Sequence, residues 1–344
     1  MDTLTHALSG ALLARCTERP GQRLPAHRRI LAFAIAAAFP DVDYLFFLLD
    51  PLEFLNLHRG PTHSLILLPL WAWLLAVCLA RILGGGWRVF FWPCAFGILA
   101  HIAGDVVTIY GTKLLFPLSD RAFGLGWSFD VNPYIAFLMA AGFVGTLVWR
   151  PLSAAGATLA AIVAFLVILT MLREQALAVV RDNARASGLE RATVYAIPQP
   201  LSPFHWSLIV AGEHGHRVAY LDLLARQPAE LPHHASPLRR MAASYRPADT
   251  LQWIDYPRFG EESFLAREAW EEPQLAPFRH FATLPALYRI DRDDGVLCVW
   301  FTDLRHVLPG LAPSFRYGMC RSGPGANWRP YRLRYFSENE RQAL

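Results

Sequence analysis

Residues 154–172 read AAGATLAAIVAFLVILTML, an unbroken apolar stretch without a charged side chain. A helix needs about 20 such residues to cross roughly 30 Å of bilayer hydrocarbon. Towards the N-terminus, Tyr134–Trp149, Val89–Tyr110 and Ser64–Leu83 (SLILLPLWAWLLAVCLARIL) are further runs of this kind. Ile30–Leu49 is a fifth, interrupted by Pro40-Asp41-Val42-Asp43, while Leu4–Ala14 is too short to span and reads as a short N-terminal helix. The whole chain agrees: of 344 residues, 54% are hydrophobic and 17% charged, with a mean hydropathy of +0.26. Soluble domains carry roughly 25% charged and about 45–50% apolar residues, so this composition excludes disorder and argues against an ordinary soluble domain.

Charge placement orients the chain. Asp2 precedes the first apolar run, and Arg15, Arg19, Arg23, Arg28 and Arg29 follow it, the reverse of a secretory signal. By the positive-inside rule that loop is cytoplasmic. Alternation then puts residues 50–63 outside, Arg81–Arg88 inside, 111–132 outside, Arg150 inside, and everything after 173 outside. Beyond 173, apolar and polar residues alternate in Thr193–Ile197, Trp206–Val210, Val296–Phe301 and Tyr331–Phe336. That pattern predicts strands, with short helices near 237–245 and 262–271. The expected fold is an α-helical polytopic membrane domain (1–172) with about five transmembrane helices plus a short N-terminal helix. An α+β, strand-rich extracytoplasmic domain (173–344) follows it.

The net charge of +4 does not point to nucleic acid, because the basic residues are spread along the chain and Lys113 is the only lysine. The five cysteines show no CxxC or zinc-finger spacing. Cys16, Cys78 and Cys94 fall in or beside apolar segments and read as buried small hydrophobes. Cys298 and Cys320 form a disulfide if their domain is outside, or stay as two separate buried thiols.

The informative residues are ionisable groups in or beside the apolar runs, where a charge costs about 2.5–3.5 kcal/mol on insertion scales. They are His6, Asp41, Asp43, His101 and Asp105, with His58 and His63 flanking Arg59-Gly60-Pro61-Thr62. His101 and Asp105 are four apart, so a helix projects both from one face, and Gly104 beside them permits close approach. Asp41 and Asp43 would splay on a regular helix, but an unwound stretch at Pro40 lets both reach one site. Imidazole and carboxylate suit zinc and similar divalent ions. Taken singly, His6 is a satisfied core histidine and His101/Asp105 a structural hydrogen bond. Taken together on one side of the membrane, seven ligand-type residues favour a metal site. His205, His214, His216, His233, His234, His280 and His306 sit in the C-terminal half without such convergence.

These residues carry a family resemblance. MDTLTHALSGALLAR at the start, FPDVDYLF at 39–46, HRGPTHS at 58–64 and HIAGDVVTIYGTKLLFPLSD at 101–120 resemble the YdjM-type family over roughly residues 1–150. That family is described as membrane-bound, metal-dependent hydrolases of the bacterial inner membrane, named for a LexA-regulated member. The resemblance implies His6, Asp41 or Asp43, His58, His63, His101 and Asp105 as ligands. Where the family pattern has Asp-Pro after a loop Trp, this chain has Asn132-Pro133, with Asp130 close by. A fainter likeness to zinc-dependent phospholipase C and single-strand nucleases is an analogy, and it suggests phosphoester hydrolysis.

Two functions follow as expectations. The first is a membrane-bound metal-dependent hydrolase with zinc, or alternatively manganese, held by His6, Asp41, Asp43, His58, His63, His101 and Asp105. Asp41 or Asp43 acts as bridge or general base, and His58 and Arg59 at the mouth serve the leaving group and an anion. Its substrate is a lipid or lipid-linked ester or phosphoester reached from the bilayer. The second is a metal-ion or proton transporter using the same residues. Transporter folds often repeat a broken helix in both halves, and only Ile30–Leu49 here carries a carboxylate-bearing break. No HExxH, GxSxG, Walker A or GxGxxG motif is present.

Overall fold

The computed structural model describes the chain except for Pro20, residues 230–233, Ala235, Asp294, Pro324 and Phe336. It forms two compact units, Met1–Phe46 with Leu57–Met171, and Phe47–Asn56 with Leu172–Leu344.

The first unit is helical. Helix α1 (Thr3–Cys16) is capped by Asp2, whose carboxylate accepts the Thr5 amide at 3.0 Å and the Thr5 hydroxyl at 2.6 Å, a standard N-terminal cap. Helix α2 (Ala26–Ala38) meets Pro40, which has no N–H to continue the ladder. Residues Phe39–Leu45 accordingly tighten into a 3₁₀ turn before the short α3 (Phe46–Leu49) and α4 (Pro51–Leu57). A second 3₁₀ turn, Pro61–His63, leads to α5 (Leu68–Leu83) and α6 (Trp87–Val106). Helices α7 (Pro133–Val148) and α8 (Pro151–Ala186) follow.

Among the described residues, three stretches are long and apolar enough to cross a membrane: Ala26–Leu49, Trp87–Val106 and Pro151–Ala186. Pro51–His63 with Leu68–Leu83 counts as a fourth if the pair, bent by 78°, is one span. Helix α7 is shorter. The run expected from Ser64 starts as helix only at Leu68, because Ser64 is extended and its hydroxyl accepts the Ile66 and Leu67 amides at 3.1 and 3.2 Å.

Small residues let the helices close on one another. Ala32 and Ala36 of α2, Ala72 and Ala76 of α5, and Cys94, Ile98 and Ile102 of α6 share one core. A Cβ on Gly10 would stand 2.3 Å from the Phe33 carbonyl oxygen, and one on Gly97 2.7 Å from Ala36 Cβ. Of the three cysteines expected inside, Cys94 is buried and Cys16 half-buried, but Cys78 is exposed. Helix α5 buries only Ala72, Ala76 and Leu79; its apolar outer face suits lipid, so apolarity there does not mean burial.

The second unit holds two antiparallel sheets. Strands β1 (Thr193–Pro198), β2 (His205–Ala211), β3 (Gly215–Asp222) and β4 (Ile254–Pro257) form the first in sequence order. Strands β5 (Pro285–Asp293), β6 (Val296–Asp303), β7 (Arg316–Arg321), β8 (Arg329–Leu333) and β9 (Arg341–Ala343) form the second. Three short helices, α9 (Pro237–Ala243), α10 (Ser263–Glu271) and α11 (Ala276–Phe281), lie between. The expected strand Tyr331–Phe336 ends at Leu333, and Phe336 lies outside the described residues.

The first sheet packs Trp206, Leu208, Val210 and Leu221 on Leu172, Ala176, Leu177 and Val180 of α8. The second sheet sets Val299, Phe301, Tyr317 and Met319 against Trp270 and Phe278 of the short helices. Leu52 and Leu55 of α4 join that second core, so residues read from the sequence as a simple outer loop help to build it. Cys298 and Cys320 face each other across β6 and β7 and form a disulfide.

Candidate metal centre

The last turns of α6 place His101 and Asp105 on one face, with side chains 0% and 1% exposed. His101 Nδ1 lies 2.6 Å from the Ala37 carbonyl oxygen. A carbonyl only accepts, so Nδ1 carries a proton and Nε2 is turned inward, the orientation found in metal-ligating histidines. His101 Nε2 is 2.9 Å from His63 Nε2, 3.4 Å from Asp105 Oδ2 and 3.6 Å from Asp41 Oδ1. The His6 ring stacks on His101 at 3.6 Å between centroids, and its Nε2 sits 3.1 Å from Asp105 Oδ1. Gly104 permits this approach, since a Cβ there would meet His6 Cε1 at 3.3 Å.

The 3₁₀ turn separates the two aspartates. Asp41 faces His101 and accepts the Thr3 hydroxyl at 2.6 Å. Asp43 anchors the His58–His63 turn instead: His58 Nδ1 at 3.0 Å, the Arg59 amide at 3.0 Å and the Thr62 hydroxyl at 3.2 Å all reach its carboxylate. His63 Nδ1 lies 3.5 Å from the same group.

Arg59 was expected at an open mouth and is instead buried, with its side chain 3% exposed. Its backbone is left-handed (φ 56°), its amide is bound to Asp43 and its carbonyl accepts the Lys113 amide at 2.8 Å. The guanidinium is directed inward. Nη1 donates to Thr108 Oγ1 at 2.7 Å, Nη2 lies 3.3 Å from Asp130 Oδ1, and Nε lies 3.0 Å from Asp105 Oδ2. That last contact is close but off-line. Both Arg59 Nε and Asp105 Oδ2 are buried without a hydrogen-bond partner among the described residues.

Asp105 Oδ2 is thus a carboxylate oxygen ion-paired with Arg59 Nε and crowded by His63 Nε2 at 3.1 Å and His101 Nε2 at 3.4 Å, with none of these nitrogens in line for a hydrogen bond. Leaving such a group unmet is costly. The Met1 ammonium lies 2.5 Å from the other oxygen. Two sets of donor atoms each lie within 4.8 Å of one another: His6, Asp41 and His101; and His63, His101 and Asp105. Neutral imidazole with carboxylate is a donor set for zinc-like divalent ions, so these residues fit a metal. Asp43 and His58 belong to neither set and pair with each other beside them.

Sequence reading did not single out Thr3, Thr62, Thr108 or the Ala37 carbonyl, which orient the charged groups through hydroxyls and backbone. Asn132 caps α7, accepting the Tyr134 and Ile135 amides at 3.0 and 3.1 Å, and neighbouring Asp130 is the one that meets Arg59. In the second unit His216 Nε2 lies 3.1 Å from the Pro285 carbonyl oxygen, and His205 stacks on Tyr245 at 4.0 Å. His233 lies outside the described residues.

Membrane-length apolar helices closing over buried His/Asp groups that can hold a metal define a membrane protein with a candidate metal centre. Residues 1–176 match the family described as YdjM inner membrane protein, and the chain belongs to that family. It is also 25% identical over 154 residues to a Bacillus subtilis (strain 168) protein described as uncharacterized protein YfhP. That alignment covers 43% of this chain and 46% of the Bacillus protein, so the chain spans under half the length of this relative. No solved structure matches.

Proposed function

We propose that the chain is a membrane-bound metal-dependent hydrolase acting on an ester or phosphoester of a lipid or lipid-linked substrate. The observation that carries this reading is Asp105 Oδ2, buried and without a hydrogen-bond partner among three inward-turned nitrogens. His6, Asp41, His63, His101 and Asp105 would hold the ion, zinc or alternatively manganese. When bound, such an ion supplies Lewis acidity, lowering the pKa of water and polarising the scissile group. Asp43, held by His58, Thr62 and the Arg59 amide, would act as general base, and His58 beside it would protonate the leaving group. Arg59 fixes Asp105 through the contact of its Nε with Oδ2. The buried setting keeps these charges strong by limiting water.

The charge distribution supports an orientation in which the Arg15–Arg29 and Arg81–Arg88 segments are cytoplasmic. Counting α7 as a short crossing gives five, and it puts the His/Asp cluster towards the outer leaflet, open to lateral entry of a lipid. It also puts the second unit outside, where the Cys298–Cys320 disulfide is at home.

The test is metal content of the purified full-length protein by mass spectrometry, in wild type and in His101→Ala/Asp105→Ala. One or two equivalents of zinc or manganese, absent from the double variant, support the site, and hydrolysis of phosphoester and ester lipids is then screened. No metal in the wild type even after reconstitution sinks the reading.

A further inference from the structure

Four arginines that the sequence scatters come together in the first unit, at the opposite end of α2 and α6 from the His/Asp cluster. Arg19, Arg23, Arg29 and Arg88 line a cavity of about 620 Å³. Arg29 is buried and fixed, with Nη1 on the Ala14 carbonyl at 2.7 Å and Nη2 on the Thr17 carbonyl at 2.8 Å. Arg19, Arg23 and Arg88 are exposed. None of these three has a carboxylate within 4.0 Å among the described residues, and the neighbouring Glu18 is held by Arg15 at 2.9 Å. Among the described residues no acidic side chain lines the cavity. Three arginines without a carboxylate partner make the hollow electropositive and attractive to an anion, with Arg88 lying over the Trp87 ring at 5.1 Å.

The rest of the wall is of another kind. Phe33, Trp92 and Phe96 line it, and Trp92 and Phe96 are 62% and 47% exposed on a helix long and apolar enough to cross a membrane. Trp92, in the second turn of α6, suits the level of lipid headgroups, and Phe96, a turn deeper, suits acyl chains. Both α2, from Ala26, and α6, from Trp87, begin at this cavity, adding the positive ends of two helix dipoles. The distance along α6 from Arg88 to His101 is roughly 20 Å at 1.5 Å per residue, so the cavity is separate from the candidate metal centre.

We propose that this cavity binds an anionic phospholipid, its phosphodiester among Arg19, Arg23 and Arg88 and its acyl chains along the Trp92–Phe96 face. Basic pockets between membrane helices recognise anionic headgroups in this way. A free phosphate would use the arginines and leave the aromatic wall idle.

The experiment uses full-length protein, stripped of lipid in detergent and offered equal phosphatidylglycerol and phosphatidylcholine of matched chains, with retained lipid read by native mass spectrometry. Wild type retains phosphatidylglycerol in preference by about tenfold or more. Arg19→Gln/Arg23→Gln/Arg88→Gln loses the preference, and Arg150→Gln, outside the cavity, keeps it. The proposal is overturned if the triple variant keeps the preference, if Arg150→Gln loses as much, or if inorganic phosphate displaces the lipid at equal concentration. Should the triple variant not purify, Arg88→Gln alone must weaken the preference severalfold, and an unchanged preference overturns the proposal in the same way.

Discussion

His6 reaches Asp105 because residue 104 has no side chain: a Cβ there would stand 3.0 Å from Met1 Sδ and 3.3 Å from His6 Cε1. Alanine is the better helix former by about 1 kcal/mol, and the atoms its Cβ would meet at 104 belong to the Met1 and His6 side chains, which can shift. The variant is therefore expected to fold as well as wild type yet to bind less divalent metal, as mass spectrometry of the purified protein will read. Full metal content at unchanged thermal stability would remove His6 from the ligand set. His101 and Asp105 were legible in the sequence because a spacing of four fixes a shared helical face whatever the tertiary fold. Thr3, Thr62 and Thr108 were not, since a hydroxyl finds its carboxylate or guanidinium only through contacts far apart in the chain. Arg59 was legible as an anion partner but not in its direction, which depends on a left-handed backbone (φ 56°) held by Asp43 and Lys113.

Between elements, contact distance decides. Gly10 and Gly97 bring α1 and α6 onto the backbone of α2, with hypothetical Cβ positions 2.3 and 2.8 Å from the Phe33 carbonyl oxygen. That neighbour is backbone and cannot rotate away, so each Gly→Ala change forces the helices apart at about 1–3 kcal/mol, the usual cost of overpacking. Gly10→Ala/Gly97→Ala is expected to lower the melting temperature in detergent by several degrees, and a melt equal to wild type would show that these helices are not in close contact. Hydropathy gave the apolar runs, and Pro40 gave the break in the second, because both are local properties of the chain. The start of α5 depended on Ser64 turning its hydroxyl to the Ile66 and Leu67 amides. Leu52 and Leu55 looked like loop residues because their partners, among them Trp270 and Met319, lie far along the sequence. Strands β3, β5 and β7 carry arginines such as Arg217, Arg289 and Arg316, which blur the alternation that marks a strand.

At the level of the whole chain, thiol and acid titrations test the second unit. Alkylation of denatured protein is expected to modify Cys16, Cys78 and Cys94 without reductant, and Cys298 and Cys320 as well once reductant is added; labelling of all five before reduction would show the pair to be open. Acid stability follows from buried His216 and Asp303 and half-buried His205. Burial lowers the pKa of His205 below its ordinary 6.5 although Asp222 opposes it, and burial likewise lowers that of His216 although the Pro285 carbonyl opposes it. The unfolded chain then binds the extra protons, so the stability these histidines contribute is whole above about pH 6.5 and is lost as pH falls. For Asp303, burial works against the charge, but the Arg305 guanidinium at 2.7 Å prevails with the Arg305 amide, and holds the carboxyl below its ordinary 3.8. Its contribution is whole above about pH 3.8 and lost only below. Hydrogen exchange of peptides covering β2 and β6 in the full-length protein should therefore show protection steady from pH 8 to 7, after correction for intrinsic exchange. Protection should weaken through pH 6 to 5, then weaken again below pH 4. His205→Gln/His216→Gln should flatten the first step and leave most of the second, because Arg305 holds Asp303 and, of the two histidines, only the charge of His216 reaches it. Protection that grows on acidification would contradict the sign for all three groups.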